Sequence, residues 1–142
     1  MQITRIFHSG FLVETAKRYF IFDYYKGELP KLNPDKPVYV FASHGHQDHY
    51  EPKVFELLKQ QGIVPKLAIL AKDIKEKKYP DGIPVLKAGF NAHYEIEADF
   101  FVDTFHSTDA GVAYLVTCGE EKIYHAGDLH DWVFDSASER EN

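Results

Sequence analysis

The segment Ser43-His44-Gly45-His46-Gln47-Asp48-His49 constrains this chain more than any other stretch. It sets three imidazoles and one carboxylate within six positions, 44 to 49. Neutral imidazole and carboxylate are the groups that divalent transition metals take as ligands. An ordinary polar loop, each histidine satisfied by its own hydrogen bond, accounts poorly for so dense a run. Directly before it stands Val38-Tyr39-Val40-Phe41-Ala42, an apolar, β-branched and aromatic run that reads as a buried strand. Side chains of an extended chain alternate with a period of two, so His44 and His46 face the same way and can chelate one ion. Asp48 and His49 follow where the chain turns and can serve a second ion, while Gly45 leaves the backbone room to bend.

The apolar patterning elsewhere predicts a strand-rich domain. Strands are expected over 2–7, 11–15, 19–23, 67–71, 85–87, 92–96, 100–105, 112–117 and 122–125, with a hairpin turn at Gly119-Glu120-Glu121. One helix is expected over 52–61, with Pro52 in its first turn, Gly62 ending it, and Val54, Leu57 and Leu58 on the face that covers a sheet. Residues 24–37 carry Gly27, Pro30, Pro34 and Pro37 and read as a loop; Lys72 to Lys78 reads as a solvated helix or turn with no binding role. His106 ends an apolar run and precedes a polar loop, a position suited to a ligand. Asp128 follows Gly127, where a carboxylate either shapes a turn or bridges two ions about 3.5 to 4 Å apart. Asp23 closes an apolar strand and reads by itself as a turn former. His8, His93 and His125 read as turn or sheet histidines, and His130 as a loop residue.

Composition bounds the class. The 142 residues fit one domain, 1–142, and 44% hydrophobic with 27% charged residues exclude a disordered chain. No apolar run approaches the roughly 18 to 20 residues that span a bilayer, and no leader pattern opens the chain, so a soluble cytoplasmic protein is expected. The single cysteine, Cys118, rules out an internal disulfide and reads as a small buried hydrophobe. With 16 Lys and Arg against 22 Asp and Glu, the net charge of −6 argues against nucleic acid as a partner. Two divalent ions would nevertheless reverse the field inside a cleft, so a small anionic substrate stays compatible with the acidic chain.

These motifs, in this order, resemble the metallo-β-lactamase superfamily. The resemblance rests on Phe7-His8-Ser9-Gly10-Phe11-Leu12-Val13-Glu14, Phe20-Ile21-Phe22-Asp23, the histidine motif, His106 and His125-Ala126-Gly127-Asp128. It is most similar to the small stand-alone branch that includes ascorbate-phosphate lactonase-like proteins. The resemblance implies an α/β, α+β-layered αββα sandwich, here its β-rich N-terminal half with one or two helices. It also implies that His44, His46 and His106 hold one metal, Asp48 and His49 the second, and that Asp128 bridges them. Asp23 would orient the site from behind the ligands. The family's last histidine ligand, well beyond Asp128, has no counterpart, so an incomplete domain is expected, either a fragment or a shortened form. Its uncovered sheet face would pair with another copy or with the absent C-terminal segment.

The implied activity is metal-dependent hydrolysis of a small ester, lactone or phosphoester by water activated on one of two zinc ions, with manganese or iron as possible replacements. Asp48 and Asp128 are the carboxylates expected to take part in catalysis. Two other readings remain: a non-catalytic, truncated module of the same fold, favoured by low metal content, and a nuclease or phosphodiesterase, which would be expected to carry basic contacts.

Overall fold

A computed structural model of the chain describes residues 1–7, 10–45, 49–106, 111–126 and 132–135, the last segment and Phe7 as backbone only. Two sheets face each other. The first has the order β1 (Gln2–Phe7), β2 (Gly10–Glu14), β3 (Tyr19–Phe22), β4 (Val38–Ala42), β5 (Leu67–Ala71) and β6 (Val85–Ala88). Its first three strands are antiparallel, and β3 to β6 run parallel. The second sheet is antiparallel, in the order β11 (Trp132–Asp135), β10 (Glu121–His125), β9 (Val112–Cys118), β8 (Phe100–His106) and β7 (His93–Glu97). The helix α1 (Lys53–Gln60) and a short 3-10 turn (Glu76–Lys78) complete the described elements.

The two sheets differ in sequence pattern because they differ in what covers them. On β3 and β4, Phe20, Phe22, Tyr39 and Phe41 point into the space between the sheets, whereas Ile21, Val38 and Val40 pack under Val54 and Leu58 of α1. Buried on both faces, these strands are almost wholly apolar. On β8, Phe100, Val102 and Thr104 are buried while Phe101, Asp103 and Phe105 point outward, the alternation of a sheet covered on one side. Phe105 is 41% exposed on that outer face, where its ring lies 6.4 Å from that of Tyr124. Rings fill the centre: Phe20 against Phe100 at 5.3 Å, Tyr39 edge-on to Phe100 at 4.8 Å, and Phe41 edge-on to Tyr114 at 5.2 Å.

Polar bonds tie the sheets together at opposite ends. At one end Arg18, buried at the start of β3, donates to Glu97 Oε1 at 2.6 Å and Asp99 Oδ1 at 2.7 Å and lies over the Phe100 ring. The Tyr39 hydroxyl and Lys66 also reach Glu97. At the other end lie the C-terminal ends of β3, β4, β5 and β6, together with the end of β8, the start of β9 and the end of β10. There the Tyr114 hydroxyl donates to the Ala42 carbonyl at 2.8 Å, and the Val112 amide to the Ser43 carbonyl at 2.8 Å. Among the described residues no helix is long and apolar enough to cross a membrane.

Candidate metal centre

Parallel strands end with their backbone groups and the next side chains directed beyond the sheet, and ligands collect there in open α/β sheets. Asp23 stands just past β3, at φ 49°, a left-handed backbone that Asp tolerates better than most residues. Its carboxylate is 1% exposed and takes three donors: the Ser43 amide at 2.7 Å, the Ser43 hydroxyl at 2.6 Å, and His49 Nδ1 at 3.0 Å. The Asp23 amide in turn donates to the Phe41 carbonyl. A buried charge is tolerated only when hydrogen-bonded, and here the donors come from the segment that enters the histidine motif. His125 completes this group, its ring stacked on Phe22 at 5.0 Å and its Nδ1 3.9 Å from Asp23 Oδ2.

His44 has the same arrangement with a carboxylate from the next strand. Asp73 lies two residues past β5, and its Oδ2 is 2.8 Å from His44 Nδ1 and 2.9 Å from the Gly45 amide. The Gly45 nitrogen also lies 2.9 Å from His44 Nδ1. An unprotonated Nδ1 facing a carboxylate would be repelled, so Nδ1 carries the proton and both N–H groups converge on Asp73. Gly45 suits this approach: a Cβ there would stand 3.2 Å from both the Asp73 carbonyl and Oδ2, tighter than an ordinary contact. Glycine thus serves proximity rather than an unusual turn.

His44 and His49, both buried, therefore each turn Nδ1 to a carboxylate, the arrangement that, in a neutral ring, leaves Nε2 with the lone pair a metal takes. Their rings are 5.9 Å apart and inclined by only 17°. This donor set fits a divalent transition metal. His106, exposed at the end of β8, packs its ring against Phe90 at 4.2 Å. His46, Asp48 and Asp128 lie outside the described residues, as do His8 and His130. Among the described residues no three His, Cys, Asp or Glu side chains are arranged to hold one ion.

Asp73 is the group that sequence reasoning missed. It sits in the charge run 72–78, which pattern alone assigns to solvent, and Lys75 to Lys78 are indeed exposed. The available signal was position: Asp73 follows an apolar strand by two residues, much as His44 does. A cleft of about 790 Å³ opens between residues 24–29 and α1, lined by Tyr24, Tyr25, Lys26, Glu51, Leu57 and Gln61. It contains none of the described histidines; at its edge the Glu51 amide donates to the Tyr24 carbonyl.

A two-sheet sandwich with carboxylate-backed histidines at one end of its parallel strands is the arrangement of a metallo-β-lactamase fold. The chain belongs to the beta-lactamase superfamily, whose domain matches residues 2–140. It is 27% identical, over 142 aligned residues, to a UPF0173 metal-dependent hydrolase of Korarchaeum cryptofilum, covering 90% of this chain and 60% of that protein. Among solved structures it is similar to Igni18, a metallo hydrolase from the hyperthermophilic archaeon Ignicoccus hospitalis. The TM-score is 0.62 at 18% identity, over 89% of this chain and 60% of that one. The chain thus spans about three-fifths of the length of each.

Proposed function

We propose that this chain carries the metal site of a metal-dependent hydrolase that cleaves a small, anionic ester or lactone. The observation that carries the reading is the pair of carboxylate-backed imidazoles, Asp73 with His44 and Asp23 with His49, brought side by side. In this reading His44, His46 and His106 would hold one zinc ion and Asp48 and His49 the other, with Asp128 as a ligand shared by both. When bound, the metals supply Lewis acidity and make water a competent nucleophile near neutral pH. The chain's own residues do the rest. Asp23 and Asp73 fix the tautomer and the angle of two ligands, and Ser43 locks Asp23 in place. Asp48 and Asp128 would accept a proton from the attacking water. The relative from Korarchaeum, described as a metal-dependent hydrolase, supports metal-dependent hydrolysis as the class of reaction.

The test is metal content per chain on protein purified without added metal, in the parent and in His46→Ala. About two zinc ions in the parent and a marked loss in the variant support the reading, and hydrolysis of a lactone and aryl-ester panel then completes it. Metal near zero in both chains would overturn it.

A further inference from the structure

Beside the candidate metal ligands lies a second group that the hydrolytic chemistry does not use. Lys72 is the first residue past β5, and its amide still donates to the Ala88 carbonyl, so the sheet ladder fixes its backbone. Its ammonium lies 4.1 Å from the centre of the Phe90 ring. Among the described residues it contacts no carboxylate, unlike Lys17, Lys36 and Lys66, which each form an ion pair. Phe90 in turn lies against His106 at 4.2 Å, and Asp73, the neighbour of Lys72, holds His44. The ammonium therefore stands one aromatic ring away from one candidate ligand and one residue away from the carboxylate that orients another.

Phe90 is a fixed platform. It belongs to the four-residue link, 89–92, that carries the chain from β6 in one sheet to β7 in the other. The Gly89 amide donates to the Tyr94 hydroxyl at 3.0 Å at one end. At the other, the Ala92 amide donates to Thr104 Oγ1 and the Thr104 amide to the Ala92 carbonyl. An exposed lysine whose ammonium already rests over a ring has less freedom to lose when an anion arrives. In a chain of net charge −6, a localised cation beside the candidate ligands also favours the approach of anions.

We propose that Lys72 and Phe90 form an anion subsite, in which the ammonium binds a carboxylate of the substrate and the ring packs on the adjoining apolar carbons. The subsite would make the substrate a carboxylate-bearing ester or lactone. That last step rests on the hydrolase reading; the binding of the anion does not.

The experiment is an NMR titration of isotope-labelled protein with benzoate and with benzamide, its uncharged isostere, in the parent, Lys72→Met and Lys72→Arg. Thermal unfolding and metal content are checked to be equal in all three. Benzoate is expected to shift the amides of residues 72, 89 and 90, to lose about tenfold in affinity in Lys72→Met and to recover in Lys72→Arg. Benzamide should bind the parent as weakly as benzoate binds Lys72→Met. Benzoate affinity unchanged in Lys72→Met, as for an anion held by metal alone, overturns the subsite, and so does benzamide binding as tightly as benzoate. With an ester that the protein hydrolyses, Lys72→Met should raise KM for the carboxylate-bearing form and leave kcat nearly unchanged. If no ester is hydrolysed, the hydrolase reading fails while the titration still decides the subsite.

Discussion

The Tyr114 hydroxyl donates to the Ala42 carbonyl at 2.8 Å, a bond that crosses from the second sheet to the last residue of β4, immediately before the histidine motif. Tyr114 is fully buried, and burial, with Asp23 nearby, pushes its phenol well above the usual range, so it remains a donor at every working pH. Tyr114→Phe leaves the ring packing on Phe41 but strips the carbonyl of its partner. The expected cost is about 1 to 2 kcal/mol in denaturant unfolding. Metal retention should weaken as well, because the start of the motif loses an anchor; dialysis against a chelator reads this directly.

Asp23→Asn and Asp73→Asn should each lower metal affinity by about 10- to 100-fold while the fold persists. An amide accepts through one oxygen and carries no charge to raise the basicity of the ligating imidazole, yet Asn keeps the left-handed backbone at position 23 accessible. Competition with a chromogenic zinc chelator gives the affinities. Equal affinity in parent and Asp73→Asn would remove Asp73 from the site.

Glu97 governs behaviour in acid. Its carboxyl is held down to about 2 from an ordinary 4.5, first by the Arg18 hydrogen bond and then by Tyr39 and Lys66, against its partial burial. The unfolded chain therefore takes up this proton before the folded one does. The stabilisation is complete above the ordinary carboxylate value and drains away as pH falls from about 4.5 towards about 2. Glu97→Gln should flatten the pH dependence of unfolding in that window and leave it unchanged above it.

Burial, with Glu121 adding to it, raises the Cys118 thiol to about 11. At pH 8 iodoacetamide should modify it slowly in the native protein and fast in denaturant. Mass spectrometry of timed aliquots distinguishes the two regimes.

Much of the fold was legible because its strands obey simple patterns. Val38–Ala42 and Leu67–Ala71 stand where their apolar runs place them, and α1 occupies the span predicted from Val54, Leu58 and Gly62. Strand β11 was missed: Trp132–Asp135 is a short run, bounded by polar residues, that gains its ladder only by pairing with β10. The site divides in the same way. His44 and His49 announce themselves by local density, and Asp23 closes a strand. Asp73 reaches His44 only because β5 lies beside β4, and an ion-rich run gives no local sign of that neighbour. Likewise, nothing in the sequence near Lys72 points to Phe90, which arrives from the far end of β6.

The parallel order of β3, β4 and β5 also sets when such a site can exist. Asp23 and His49 are 26 positions apart, and Gly45 and Asp73 are 28 apart. Neither pair can meet in a local turn; each requires a completed crossover and the right register. Long-range parallel pairing forms late and slowly in a folding chain. During refolding, metal uptake should therefore lag behind the burial of the aromatic rings, and its rate would time the closing of β5 onto β4.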